Sequence, residues 1–398
     1  MAEGDRKIPR IVRSLGWVSF FTDASSEMIY PLLPALLKSF GAAPIWLGAM
    51  EGVAEAVSAF MKWRIGPVVD RAPRKKPIIV AGYALANLCR PLIAFTTAGL
   101  HVVFLRSLDR IGKGIRGVPR DALLAESVPA KSLATAFAFH RMMDNAGSVL
   151  GPILAFALLR ALELPLRVVI LLSIVPGLLS LAVLVLGVEE PAAPRDDAPA
   201  APREAAPVAF APALRRYLFV LTLFTFGASA DSFLLLRALD LHFPEAWLPL
   251  LWLTLAAAKA ASNMPGGWLA DRFGRRRTLV VAWLLYAAFY AAMPHVSSPM
   301  LFAALVVGYG AYYGLAEGTE RAILVEHAPV AIRGRAFAAM HALTGFAVLP
   351  ANLIFGFLYT RDVKLAFTVS AACAALAAVL MVALVGPPRP EKNATLSE

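Results

Sequence analysis

The chain is poor in charged residues, which make up 16% of its 398 positions, whereas soluble proteins carry about 25%. Hydrophobic residues make up 59% and recur in long runs along the whole length. These runs exclude an ordinary soluble domain and predict an all-α protein that crosses a lipid bilayer several times. The only two cysteines, Cys89 and Cys373, lie inside apolar runs, which excludes a disulfide framework.

Motifs for chemistry are also lacking. The sequence has no metal-ligand spacing and no nucleophile elbow. Its Gly112-Lys113-Gly114 stretch has glycine where a phosphate-binding loop requires serine or threonine, so ATP-driven transport is not expected. We therefore expect no enzyme activity, no cofactor and no bound metal. A net charge of +11 is compatible with a nucleic-acid partner. Most basic residues, however, cluster in a few short loops, as membrane topology requires, so no nucleic-acid partner is expected.

Apolar runs of about 20 residues predict twelve transmembrane helices in two sets of six. The first set covers residues 14–37, 45–69, 76–97, 99–125, 134–159 and 165–188, and the second covers 216–239, 246–270, 277–296, 299–325, 337–360 and 366–386. We expect residues 1–188 and 217–398 to form two pseudo-symmetric six-helix bundles around a central cavity. Residues 189–216, rich in proline and alanine, predict a flexible linker between them.

Basic residues fix the expected orientation. Counted in alternate loops, 21 lysines and arginines fall on one side, with the termini and the linker, and five on the other. The basic side is cytoplasmic, so both termini are expected in the cytoplasm. The alanine-rich composition favours a multi-pass protein of a bacterial inner membrane, and we expect a monomer.

The two halves carry matching motifs. Residues 66–76 (GPVVDRAPRKK) correspond to residues 267–277 (GWLADRFGRRR), at an offset of 201. Residues 122–129 (ALLAESVP) correspond to 322–329 (AILVEHAP), at an offset of 200. Repeated six-helix units of this kind are typical of secondary transporters, whose cargo binds near mid-membrane between the halves.

These motifs resemble those of the major facilitator superfamily, and the likeness extends over essentially the whole chain. Residues 267–277 match its loop signature, whereas Pro73 stands where glycine is usual in the first copy. Residues 20–37 (FFTDASSEMIYPLLPALL) and 147–152 (GSVLGP) resemble its twelve-span drug:proton antiporters, although Ala155 and Phe156 depart from the latter motif. The resemblance implies transport by alternating access.

The fourth predicted helix carries a dense row of charges. These residues recur at helical spacing within an arc of about 140° on one face: Arg106, Asp109, Arg110, Lys113, Arg116, Arg120 and Asp121. A charge at the bilayer centre costs about 2.5–3.5 kcal/mol, so the row must line water or pair inside a bundle. We expect Arg106, Lys113, Arg116, Arg120 and Asp121 to contact a polar or anionic cargo. The alternative is that these residues form structural ion pairs, such as one between Arg110 and Asp109.

Carboxyl groups at mid-depth are candidates for proton coupling. Asp23 and Glu27 lie four residues apart on one face of the first helix, and Asp231 occupies the equivalent part of the seventh. A desolvated carboxyl group exchanges protons near neutral pH. The alternative is that Asp23 and Glu27 serve as structural partners of the basic row.

Further cargo contacts are expected on three other helices. The fifth carries His140, Arg141 and Asp144; the tenth carries Glu317, Glu320 and Arg321; and the eleventh carries His341. His140 and Asp144 could relay protons, although an interior histidine with satisfied hydrogen bonds is an alternative. Because the charges of the tenth helix reverse those of the fourth, salt bridges across the cavity could close one gate.

Matching charged residues in the cytoplasmic loops of the two halves indicate gates, as the resemblance also implies. We expect Asp70, Arg74 and Glu126 to form one charge relay and Asp271, Arg275 and Glu326 to form its repeat, unless the basic residues only fix topology. Gly147, Gly151 and Pro152 are expected to shape the fifth helix by close packing and a kink.

The sequence therefore predicts a proton-coupled exporter of a small polar or anionic organic solute. The alternative is an importer or exchanger of organic anions such as carboxylates, metal chelates or phosphorylated metabolites. The basic row of the fourth helix favours that alternative. The expected partners are the solute, protons and the lipid bilayer.

Overall fold

In a computed structural model of the protein, described over residues 9–129, 132–190, 210–329 and 332–386, the chain is helical and these residues form no strand. The α-helices of the N-terminal half are α1 (Arg10–Ile29), α2 (Leu33–Ser39), α3 (Ile45–Arg71), α4 (Lys76–Leu92), α5 (Gly99–Glu126), α6 (Leu133–Arg160), α7 (Leu166–Leu172) and α8 (Ile174–Gly187). Those of the C-terminal half are α9 (Pro212–Gly227), α10 (Ser232–Asp240), α11 (Leu248–Phe273), α12 (Arg275–Ala292), α13 (Pro299–His327), α14 (Arg333–Arg361) and α15 (Val363–Leu384).

The helices follow the predicted spans to within a few residues, and the prediction of an all-α protein is confirmed. The first span is interrupted by a 3₁₀ turn at Tyr30–Leu32, where Pro31 has no backbone N–H to donate. The seventh is interrupted between α9 and α10. Helix α9 begins at Pro212, inside the segment predicted as linker, and residues 191–209 of that segment lie outside the described residues.

Eight segments of the described chain are long and apolar enough to cross a membrane. They are Lys76–Phe95, Thr135–Arg160, Leu166–Gly187, Pro212–Asp240, Arg275–His295, Pro299–His327, Arg335–Arg361 and Val363–Leu384. Helices α1, α3, α5 and α11 are not among them. Each of these four carries charged residues along its length, such as Glu27, Glu55, Asp109 and Lys259.

The two halves repeat their pattern of helix packing. In the N-terminal half, α1 packs against α6 and α8, α3 packs against α5, and α4 packs against α5. In the C-terminal half, α9 packs against α14 and α15, α11 packs against α13, and α12 packs against α13. The halves meet mainly where α3 packs against α14 and α6 against α11, with α2 against α10.

The outer surface of this assembly is apolar. Large hydrophobic side chains are exposed on several helices, including Phe104 on α5, Leu186 on α8 and Val379 on α15. Exposed apolar surface of this extent is unfavourable in water but suits contact with lipid tails. The fold is that of a multi-pass membrane protein.

Candidate functional site

A polar cavity of about 470 Å³ lies among α1, α3, α5 and α6. It contains five basic side chains, three carboxyl groups and smaller polar groups. Its lining residues are Asp23, Lys62, Lys113, Arg116, Gly117, Val118, Arg120, Asp121, Arg141, Asp144, Asn145 and Ser148. The structure thus brings together seven residues predicted from the sequence as coupling or cargo residues.

Two glycines set the orientation of the charged row of α5. A Cβ at Gly112 would lie 2.6 Å from the carbonyl oxygen of Gly82 on α4. A Cβ at Gly114 would lie 2.5 Å from Met61 Cβ on α3. Since only glycine permits such close approach, α5 packs directly against α4 and α3. Lys113 lies between the two glycines and Arg116 lies two residues after the second, and both face the cavity.

Arg116 is the most enclosed cation of the cavity. Its residue is 4% exposed, and its guanidinium carbon lies 4.1 Å from the centre of the Tyr83 ring. That distance is within the range of a cation–π interaction, which fixes the plane of the guanidinium. Arg116 Nε is buried and has no hydrogen-bond partner among the described residues.

Arg120 is held by polar side chains on two sides. It donates two hydrogen bonds to Asp121 Oδ1, at 2.9 Å from Nε and 2.8 Å from Nη2, and a third to Ser19 Oγ on α1 at 3.2 Å. Ser19 Oγ is also 2.9 Å from His140 Nε2. His140 Nδ1 lies 3.6 Å from Asp144 Oδ2. The predicted His140 and Asp144 are therefore close, but His140 is 4% exposed and lies behind the cavity wall.

A buried ion cluster changes the interpretation of three predicted residues. Asp109 accepts a hydrogen bond from Arg90 Nε at 2.9 Å and another from Arg106 Nη1 at 2.7 Å, and all three side chains are at most 2% exposed. Arg106, predicted to contact cargo, is therefore an internal partner of Asp109 and does not line the cavity. Both oxygens of Asp109 are used in these two contacts, and the alternative pairing of Arg110 with Asp109 stays a prediction.

The two candidate carboxyl groups of α1 lie in different surroundings. Asp23 lines the cavity. Glu27, one turn further along, accepts a hydrogen bond from Trp252 Nε1 on α11 at 2.8 Å. This bond joins the two halves of the chain. Trp252 also lies 4.7 Å from the ring of Tyr30, measured between ring centres.

Asp231 lies in a tyrosine-rich part of the C-terminal half. It forms an ion pair with Lys259 of α11 and accepts a hydrogen bond from Tyr309 at 3.1 Å. The Lys259 ammonium also lies 3.7 Å from the centre of the Tyr313 ring.

The other predicted cargo residues of the C-terminal half do not line this cavity. Arg321 pairs with Glu317 on the same helix at 2.9 Å. Glu320 accepts a hydrogen bond from Trp283 Nε1 at 3.4 Å. His341 is exposed and lies against the Phe337 ring. Glu317 and Arg321 therefore pair with each other along α13, and not with the basic row across the cavity.

The family model of the Major Facilitator Superfamily matches residues 15–258 and 236–398. The chain belongs to this superfamily. An uncharacterized MFS-type transporter of Methanocaldococcus jannaschii is 29% identical over 386 residues, which cover 96% of each chain. The multi-drug resistance efflux pump PmrA of Streptococcus pneumoniae is 28% identical over 335 residues, covering 80% of this chain and 82% of the pump.

Solved structures of the superfamily share this fold. A bacterial homolog of the human lysosomal transporter Spinster, in an inward-facing and unoccupied conformation, superposes with a TM-score of 0.73 at 15% identity. The match covers 95% of this chain and 96% of that one. The recognition of the superfamily from sequence is thus confirmed, and the protein is a membrane transporter, not an enzyme.

The basic loops of this superfamily member form ion pairs within each half. Glu126 pairs with Lys75 at 2.9 Å. Its basic partner is therefore Lys75 and not the predicted Arg74. Arg74 is exposed, and the side chain of Asp70 lies outside the described residues. In the repeat, Arg275 contacts Glu326 at 2.7 Å and Asp271 at 3.8 Å.

Contacts at the opposite end of the transporter join the two halves, and sequence reasoning missed them. Lys38 Nζ of α2 lies 2.7 Å from Asp240 Oδ1 at the end of α10. Tyr359 of α14 donates to Asp240 Oδ2 at 2.6 Å. The sequence shows only a lysine on the sparsely basic side and an aspartate at the end of an apolar run, with nothing to pair them.

The packing glycines of α6 contact α1. A Cβ at Gly147 would lie 2.2 Å from the carbonyl oxygen of Phe20, and one at Gly151 would lie 2.6 Å from that of Ala24. Pro152 lies inside α6, which continues to Arg160. These contacts fix the wall of the cavity next to Asp144.

Proposed function

We propose that this protein is a secondary active transporter that exports a small polar or anionic organic solute by alternating access, coupled to proton entry. The observation that carries the proposal is the cavity of α1, α3, α5 and α6, in which basic side chains outnumber carboxyl groups. Cations inside a membrane protein are costly unless they are paired or hydrated. A cavity in which basic side chains outnumber carboxyl groups therefore suits an anion that binds, neutralises the excess charge and leaves.

The position of the contacts between the halves supports an inward-open state. Lys38, Asp240 and Tyr359 join the halves at one end of the molecule. The cavity lies toward the other end of α5, near the basic loops that the positive-inside rule assigns to the cytoplasm. Alternating access then consists of separating the outer contacts while the cytoplasmic side closes.

The repeated packing of the halves supports twelve spans in two six-helix bundles. Helices α1, α3, α5 and α11 would complete the set, because their length suffices and several of their charged side chains line the cavity or pair inside the protein. Their charged residues lower the mean hydropathy of these four helices below that of an ordinary span. Charged residues inside a membrane typically mark functional sites. We place both termini in the cytoplasm of a bacterium, with the protein acting as a monomer in the inner membrane.

Two carboxyl groups are proposed to couple transport to protons. Asp23 shares the cavity with Lys113 and Arg116, so its charge and that of an anionic cargo compete for the same cations. Glu27 holds Trp252 of the other half, so loss of its charge weakens a contact between the halves. Protonation at this pair would thus alter both cargo affinity and the state of the transporter. The similarity to an efflux pump supports the outward direction.

The test is substrate-induced proton movement in proteoliposomes. Vesicles containing the purified protein and the pH dye pyranine receive benzoate, malate or glycerol 3-phosphate under an imposed pH gradient. We expect at least one anion to accelerate the pH change, Arg116→Gln to slow that response at least ten-fold, and the double variant Asp23→Asn, Glu27→Gln to abolish it. Arg361→Gln, which removes a charge from the end of α14, serves as the matched control.

A response that persists in the double variant would eliminate Asp23 and Glu27 as the coupling pair. A response to no anion would eliminate coupled anion transport. Comparing inward with outward pH gradients then separates export from import.

A further inference from the structure

Two buried polar atoms of the cavity have no hydrogen-bond partner among the described residues: Arg116 Nε and Asp144 Oδ1. Arg116 is 96% buried, and both residues line the same cavity. An unpaired buried donor or acceptor is unfavourable. Because these two atoms have almost no accessible surface, a ligand satisfies them only when the two side chains turn toward the cavity on binding. One position requires an acceptor and the other a donor.

The charges of the lining restrict what those groups can be. Asp121 is already paired with Arg120. The remaining cations are Lys62, Lys113, Arg116 and Arg141, and the remaining carboxyl groups are Asp23 and Asp144. With all of them ionised, the lining carries an excess of two positive charges. A dianion would neutralise this excess in an environment where charges interact strongly, whereas a zwitterion would leave it unchanged.

The guanidinium of Arg116 is prepared for the acidic end of such a ligand. The Tyr83 ring fixes its plane, and a planar guanidinium matches carboxylate and phosphate oxygens. The donor that Asp144 Oδ1 lacks can then come from a hydroxyl group or from an ammonium group. An ammonium group would add positive charge to a lining that already carries an excess of positive charge, so a hydroxyl group is the favoured donor.

We propose that the cargo is a hydroxylated dianion of metabolite size, whose acid group binds Arg116 and whose hydroxyl donates to Asp144. This inference rests on the proposed anion transport. The cavity of about 470 Å³ is in the lower part of the range of small-molecule sites. A carboxylate and a phosphate monoester both meet the requirement, and they form the two arms of the experiment.

The experiment measures dissociation constants for the full-length, detergent-purified protein at pH 7.5 by titration calorimetry. The carboxylate arm compares malate with succinate, which lacks the hydroxyl, and with aspartate, which carries an ammonium instead. The phosphate arm compares glycerol 3-phosphate with glycerol. We expect malate or glycerol 3-phosphate to bind, and the dianion with a hydroxyl to bind at least about ten-fold more tightly than its comparison compounds.

Variants separate the two contacts. Arg116→Gln should weaken every dianion at least ten-fold. Asp144→Ala should remove the preference for malate over succinate, or weaken glycerol 3-phosphate, and Asp144→Asn should retain part of that preference because its amide oxygen still accepts. Arg361→Gln should leave all constants unchanged and reports on folding of the preparation.

Equal affinity for malate, succinate and aspartate, or failure of both dianions to bind, would overturn this inference. If anions bind without these preferences while proton-coupled flux continues, only the cargo class is wrong. If no anion drives proton movement, the proposed transport itself is wrong.

Discussion

At the scale of single residues, α5 separates two kinds of buried charge. Arg106 and Asp109 lie in a buried ion cluster with Arg90, whereas Arg116, further along the same helix, lines the cavity. The cluster connects α4 with α5, and Arg90 also donates to the carbonyl oxygen of Thr22 on α1 at 2.9 Å. Its role is to hold three helices together.

Removing the charge of Asp109 should therefore destabilise the protein. Asp109→Asn leaves Arg90 and Arg106 buried without a counter-charge, and breaking a buried pair in this way costs about 3–5 kcal/mol. The free energy of unfolding, measured in detergent with denaturant, should fall accordingly. Glu317→Gln breaks an exposed pair on α13 and should cost no more than about 1 kcal/mol. Equal losses in the two variants would contradict this role.

The sequence predicts the charged row of α5 but not this division of roles. Helical spacing places the charges on one face because it depends only on position along one helix. One partner of Asp109, Arg106, lies three residues away on α5. The other, Arg90, is 19 residues away on a neighbouring helix, and no periodicity of α5 contains that information. For the same reason Tyr83, beneath Arg116, and Ser19, beside Arg120, could not be predicted.

At the scale of secondary-structure elements, close approach of helices depends on glycine. A Cβ at Gly314 of α13 would lie 2.2 Å from the backbone carbon of Ser262 on α11, whereas one at Gly318, a turn later, would meet nothing within 4 Å. Membrane helices use such small residues to let their backbones approach. The bounds of these helices could be predicted because the length of an apolar run is read directly from neighbouring residues. Which glycines contact another helix could not be predicted, because that depends on residues distant in sequence.

These two glycines form a matched pair for mutation. Gly314→Ala forces α11 and α13 apart, and overpacking of this kind costs about 1–3 kcal/mol. Gly318→Ala fills open space in a helix, where alanine is favoured over glycine by about 0.5–1 kcal/mol. Thermal unfolding in detergent should show a lower midpoint for the first variant and an unchanged or higher one for the second. The reverse order would contradict the packing described here.

At the scale of the whole molecule, the proposed inward-open state depends on contacts between the halves at the outer end. Lys38 and Tyr359 both bind Asp240, and these residues come from α2, α14 and α10. Because each partner is distant in sequence, only the assembled fold reveals the contact. If it holds the outer side closed, its loss should shift the population toward outward-open molecules.

Asp240→Asn removes the ion pair while preserving most of the side chain. Since partly exposed pairs contribute about 1 kcal/mol, the outward-open fraction should rise about five-fold relative to the inward-open fraction. Distances between spin labels at the outer ends of α2 and α10 would report this shift. Arg361→Gln, at the same end but outside the contact, is the control and should leave the distance distribution unchanged. If Asp240→Asn also leaves the distribution of the unmodified protein unchanged, the contact does not control the conformational state.

The most direct test of the central claim is the access of water to the cavity. Cys89 and Cys373 are replaced by alanine, and Val118→Cys in the cavity is compared with Phe104→Cys on the exposed apolar side of the same helix. We predict that a membrane-impermeant maleimide labels Val118→Cys rapidly from the cytoplasmic face, in inside-out vesicles, and labels Phe104→Cys slowly from either face. Equal rates at the two positions, or labelling of Val118→Cys only from the outer face, would contradict a cytoplasm-facing anion cavity.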